Sequence, residues 1–146
     1  MTAETAGGTT YLPRVAAVAS VLAGLVHYAA VPEHRAEWFW YGAFFTLAGA
    51  LQIVWAALAW TGQRRWLAVG AVGTVALIGL WVFTRTVGVP FGPHAGAVEG
   101  IGVLDAVCVA VEAVTALCAL AALRARAGLT AARRYTAPPG EAAAGS

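Results

Sequence analysis

The chain has three histidines, seven carboxylates and two cysteines in 146 residues, and most of these side chains are gathered into two short stretches and one apolar run. His27, Glu33, His34 and Glu37 lie in and just after one apolar segment, while His94, Glu99, Asp105 and Glu112 run from a Pro-Gly connection into another. Imidazole with carboxylate suits zinc, iron, copper or manganese without singling out one, so a transition-metal ion is the cofactor these residue types allow. His34 and Glu37, three residues apart, share a helical face. His27 stands about 10 Å from His34 on a regular helix, too far for one ion unless Pro32 disturbs the geometry. The expected metal donors are therefore His27, His34, Glu37 and His94, with Glu99 or Asp105 available to complete a shell. Haem is disfavoured, because only His27 lies clearly within an apolar span and a b-type site needs two axial histidines.

A second constellation carries charge. Asp105, Cys108 and Glu112 share one helical stripe by their three- and four-residue spacing. Glu112 falls near the middle of its apolar run, where a lone carboxylate costs about 2.5 to 3.5 kcal/mol unless protonated, paired or wetted. Gln52, slightly past the middle of another run, is the expected partner. Arg85 ends a third run, where it can pair with Glu99 or Asp105. Arg85, Glu99, Asp105, Glu112 and Gln52 are thus the candidate ligand-binding residues.

Composition shows which elements must hold these groups. With 60% hydrophobic residues, 11% charged and a mean hydropathy of +0.74, the chain has too few polar residues to cover a soluble surface. About 20 apolar residues cross a bilayer, and such segments recur at about 15–31, 38–60, 67–84 and 101–123. The expectation is an all-α, four-helix transmembrane bundle over 14–124, with a disordered tail over 1–13 and a basic, then disordered, tail over 125–146. The first segment reads as an uncleaved span, since His27, Tyr28 and Pro-Glu-His make a poor small-residue cleavage site. Arg14, Arg64, Arg65, Arg124, Arg126, Arg133 and Arg134 fall on the side of the termini, against Arg35 and Arg85 on the other. That asymmetry predicts a multi-pass cell-membrane protein with both termini cytoplasmic. All three histidines then lie toward the outside. With no lysine and sparse arginine pairs, no nucleic-acid surface is expected.

Helices in lipid approach through small residues, and Ala16, Ser20 and Gly24, then Gly42, Thr46 and Ala50, then Gly70 and Thr74, are spaced to provide such stripes. "GVPFGPHAG", with three Gly and two Pro, cannot continue a helix and reads as a tight loop able to dip back among the helices. Cys108 and Cys118 are about 15 Å apart along one helix, beyond disulfide reach, and read as small apolar fillers.

The polar residues resemble those of a group of small, uncharacterised four-span bacterial integral membrane proteins. The likeness rests on His27, "HRAEW" from His34, "GAFF" from Gly42, Gln52, "RTVGVPFGP" from Arg85, Glu99, Asp105 and Glu112, and spans residues 15–125. It implies the four-span topology and supports this choice of polar residues, without implying an activity.

Four functions remain open: an outer-side pocket that binds a metal ion or small ligand; a transporter subunit relaying protons through Glu112; a membrane-embedded enzyme using Asp105, Glu112 and His27 on a lipid or isoprenoid; or a structural subunit. The bilayer is the implied partner, with a homo-oligomer or larger membrane complex as further expectations. No nucleophile elbow, phosphate loop, dinucleotide fingerprint or HExxH is present. The orientation is testable first. Alkaline phosphatase inserted near His94 should be active in a bacterial host, and the same reporter fused after Ser146 inactive; the reverse pattern would invert the topology.

Overall fold

A computed structural model of the chain describes the backbone of residues 4–136 and the side chains of residues 11–130; the expectations for 1–3 and 137–146 lie outside the described residues. Four helices follow one another: α1 (Glu4–Glu37), α2 (Phe39–Trp60), α3 (Arg64–Thr86) and α4 (Val103–Thr136). All four are long and apolar enough to cross a membrane, which makes this a multi-pass membrane protein. α1 and α4 run past the spans expected from hydropathy, α1 through Pro13 and Pro32 and α4 through the Arg124 and Arg126 region. Pro32 lies near the end of α1, and the helix continues through it. His27 and His34 consequently keep helical register.

The turns divide into two ends. α1 passes into α2 across a single extended residue, Trp38 (φ −164°, ψ 136°), whose carbonyl accepts from the N–H groups of Tyr41 and Gly42. The long connection 87–102 lies at this same end. Thr61, Gly62 and Gln63 join α2 to α3 at the opposite end, beside the outer parts of α1 and α4. There Arg14 lies over the Trp60 ring and Arg65 over Trp66, cation–π contacts of the kind that suit a membrane boundary.

Packing around the bundle runs α2, α1, α4, α3. α1 is in extensive contact with α2 and α4, α4 rests on α3, and α2 and α3 touch only slightly. Small residues explain the tight α1–α2 pair. A Cβ on Gly24 would lie 2.9 Å from the Gly49 carbonyl oxygen, and one on Gly49 would lie 2.9 Å from that of Gly24. The stripe Ala16, Ser20, Gly24 is buried, as are Gly70 and Thr74. On α2 the stripe is corrected: Thr46 is exposed and Ala50 half-buried, and the buried line runs through Gly42, Gly49, Gln52, Ala56 and Ala59. It follows a mean three-and-a-half-residue spacing, which tracks a crossing helix better than strict fours.

The half of the bundle nearest the termini is closed by an apolar core in which Trp55, Leu67 and Ala71 meet Ala16, Ala17, Ala56, Ala59, Ala119 and Ala122. Trp55 spans the α2–α3 gap there. Its indole N–H donates to the Trp66 carbonyl at 2.6 Å, and its ring fills the space that a Cβ on Gly70 would occupy. No comparable bridge joins α2 to α3 in the other half among the described residues. Gly49→Val should therefore lower stability by about 1–3 kcal/mol through overpacking, whereas Gly73→Ala, where a Cβ meets nothing within 4 Å, should be neutral. Thermal unfolding of the detergent-solubilised protein, followed by circular dichroism, checks both.

Candidate functional site

The connection 87–102 folds back over its end of the bundle. Val89 donates to the Ala97 carbonyl at 2.9 Å, Gly96 returns a bond to the Val89 carbonyl at 2.8 Å, and Glu99 donates to the Thr84 carbonyl at 3.2 Å. Gly88 (φ 113°) and Gly92 (φ 95°) take backbone conformations that side chains disfavour, and each also lacks room: a Cβ would press on the Gly96 backbone and on the Tyr41 and Trp38 rings, respectively. The Tyr41 hydroxyl donates to the Phe91 carbonyl at 2.7 Å, fastening the loop to α2. Val89 is buried beneath it.

Under this cap lies a cavity of about 220 Å³ between the four helices. Its walls are mostly apolar and aromatic, with Phe44 and Phe45 from α2 facing Leu77, Leu80 and Trp81 from α3. Two polar groups interrupt them, one at the capped end and one at the floor.

At the capped end, Arg85 joins α3, the loop and α4. Its guanidinium donates to Glu99 Oε2 at 2.9 Å, to Asp105 Oδ2 at 2.8 Å and to the Thr84 hydroxyl at 2.7 Å, and it lies over the Trp81 ring. Both carboxylates named for Arg85 from sequence are thus engaged together. Asp105 Oδ2 also accepts the Gly102 N–H at 3.0 Å, reaching back from the first turn of α4 to cap the helix. One cation against two carboxylates leaves the cavity end with an excess negative charge.

At the floor, Glu112 is 2% exposed, His27 6% and Gln52 7%. Gln52 Nε2 donates to Glu112 Oε1 at 2.8 Å, and the Gln52 backbone carbonyl accepts the Ser20 hydroxyl at 2.9 Å, so α1, α2 and α4 are tied at one level. Gln52 Oε1 is buried without a donor. His27 Nδ1 lies 3.0 Å from the Ala23 carbonyl and 3.5 Å from Cys108 Sγ. A carbonyl oxygen only accepts, so Nδ1 carries the proton in neutral His27 and Nε2 keeps its lone pair. Orientation of one ring nitrogen by a carbonyl is common among metal-binding histidines, and in His27 it is this Nδ1 edge that meets the Cys108 thiol. His27, Cys108 and Glu112 each offer a ligand atom, and these three atoms all lie within 4.8 Å of one another.

Of the metal donors named from sequence, His27 and His34 line the cavity. The His34 Nδ1 faces the Ala30 carbonyl at 3.0 Å and its ring lies 3.9 Å from that of Phe45, which stands between the two histidines. Glu37 ends α1 and is exposed, and His94 is exposed on the loop; neither lines the cavity, so the structure does not bring them to His27. Cys108, read from sequence as a filler, takes a place in the cluster instead. Its signal was present in the stripe it shares with Asp105 and Glu112, but thiols in apolar runs are common enough that only the facing His27 reveals its position. Arg85, Glu99, Asp105 and Glu112 all line the cavity, and Gln52 holds Glu112 from behind.

Compared with protein-family models, curated proteins and solved structures, the chain finds no match. The site must accordingly be read from its own chemistry.

Removing the Arg85 cation leaves two partly shielded carboxylates facing each other. Arg85→Ala should cost about 2 kcal/mol, less than for a fully buried pair because Glu99 and Asp105 keep some exposure. The triple variant with Glu99→Gln and Asp105→Asn should recover part of that loss. Thermal unfolding in one detergent reads both effects, and an Arg85→Ala midpoint equal to that of the unmodified protein would remove the ion pairs from any structural role.

Proposed function

We propose that this protein binds a transition-metal ion within the membrane, at the floor of its cavity, through His27, Cys108 and Glu112. The observation that carries the reading is the convergence of an imidazole, a thiol and a carboxylate from two helices within 4.8 Å of one another. Nitrogen, sulfur and oxygen donors together favour zinc or copper over magnesium or calcium, which prefer all-oxygen shells. Three protein donors leave a fourth position open toward the cavity, the pattern of sites that engage a further ligand rather than purely structural ones. Gln52 orients the carboxylate from behind, as outer-shell groups do.

Charge and access agree with this assignment. The excess carboxylate beside Arg85 favours cations at the cavity's capped end. Beyond the floor, the apolar core around Trp55 and Leu67 closes the bundle, which favours binding over passage. In the proposed orientation both termini are cytoplasmic, the chain lies in the cell membrane, and the cavity serves its outer side.

A second reading treats the same polar groups only as ties between helices, and the Gln52–Glu112 hydrogen bond favours it. Metal analysis separates the two. Protein purified in mild detergent and loaded with Zn(II) should retain about one ion per chain after desalting, and His27→Ala, Cys108→Ser and Glu112→Gln should each lose it while keeping their helicity. Loading with Co(II) should give a thiolate-to-cobalt charge-transfer band that Cys108→Ser abolishes. Metal retention unchanged across the three variants, or absent from the unmodified protein, would leave only the structural reading.

A further inference from the structure

The two ends of the bundle differ in how their charges are met. At the loop end, Arg35 and Arg85 stand among Glu33, Glu37, Glu99 and Asp105. At the end that carries the termini lie Arg14 on α1, Arg64 and Arg65 at the start of α3, and Arg124 and Arg126 on α4, with no carboxylate beside them among the described residues. Both ion pairs of the described residues belong to Arg85, so these five cations have none. Like charges gathered from three helices repel one another unless an anion from outside the chain lies between them.

Three segments converge there on Gly62, in the turn between α2 and α3. A Cβ on this residue would lie 2.8 Å from Arg126 Nη2 and 3.8 Å from Pro13 Cγ, so Arg126 of α4 and the Pro13–Arg14 pair of α1 flank the turn. Arg126 is half-buried and Arg14 exposed. The Arg14 guanidinium lies 5.8 Å from the centre of the Trp60 ring, and that of Arg65 lies 5.0 Å from the centre of the Trp66 ring. Indoles collect at the level of lipid head groups, so their neighbouring cations are held at the depth of the phosphates. A guanidinium also presents a planar fork of donors that matches a phosphate, and every basic residue of the chain is arginine. A nucleic acid or an acidic protein would approach from the water beyond this level, whereas a lipid phosphate already lies beside it.

From these features we infer that the surface around the α2–α3 turn binds an anionic phospholipid, whose phosphate is held by Arg14 and Arg126. Anionic lipid is selected over zwitterionic lipid by charge: a choline or ethanolamine head group brings its own cation into a region that already holds five, and a glycerol head group does not. The site lies at the opposite end of the bundle from the cavity and is independent of the ion bound there.

The test uses the full chain in a neutral detergent, titrated with dioleoylphosphatidylglycerol or dioleoylphosphatidylcholine and read by native mass spectrometry. An arginine beside an anionic lipid contributes roughly a fivefold gain in affinity, so two should make phosphatidylglycerol bind about twentyfold tighter than phosphatidylcholine. Arg126→Gln should weaken phosphatidylglycerol binding about fivefold, and the double variant with Arg14→Gln should bring it near that of phosphatidylcholine. Arg35→Gln, at the loop end, should leave the preference intact. Equal affinity for the two lipids in the unmodified protein overturns the inference without recourse to any variant. Full preference retained by the double variant overturns it too, as does a preference lost equally in Arg35→Gln. Inorganic phosphate competing as effectively as the lipid would make this a site for a soluble anion and overturn lipid binding.

Discussion

A carboxyl group that sits within hydrocarbon has to be met by another polar group, and in this bundle Glu112 is met by Gln52. That hydrogen bond requires α2 and α4 to present these residues at the same depth, although α1 separates the two helices in the packing order. Ser20 on α1 then takes the Gln52 backbone carbonyl, so three helices are held at one level by groups that water would otherwise have satisfied. Nonspecific apolar packing could slide these helices past one another at little cost, because lipid is as apolar as their side chains. The polar level removes that freedom.

Everything of chemical interest is arranged relative to that level. Below it the chain uses alanine, glycine and one large indole to close the bundle; above it larger aromatics stand apart and leave a cavity. Arg85 plays the corresponding part at the upper boundary, joining the end of α3 to the beginning of α4 and to the loop between them. The cavity is thus bounded by two polar contacts and walled by apolar residues, and its chemistry is confined to the few polar side chains that line it, among them His27, Cys108 and Glu112.

Much of the scaffold was legible from residue order. Four apolar runs of bilayer length, separated by Pro, Gly and Arg, admit little other than four helices, and the cost of a mid-span carboxylate identified Glu112 and its need for Gln52. Arg85 and its two carboxylates were legible for the same reason, since unpaired charges so near hydrocarbon are expensive. The metal donors were less legible. Spacing along α1 favoured His34 and Glu37, but a three-residue interval places residues on one face without saying whether that face points inward, and Glu37 is exposed. The stripe on α2 was misplaced for a related reason: strict fours drift around a helix, and only the contact with α1 shows that Gly49 and Gln52, rather than Thr46 and Ala50, lie within it.

By itself, then, the order of residues determined the helices, their number and the side chains too costly to leave alone, because length, hydropathy and charge act along the chain. Which helix lies beside which, and therefore that Cys108 comes to His27 while His94 does not, was decided only by the folded arrangement. Contacts between distant segments depend on the rotation and depth of each helix, and those are set by close packing at positions such as Gly24 and Gly49, where the absence of a side chain allows two backbones to meet.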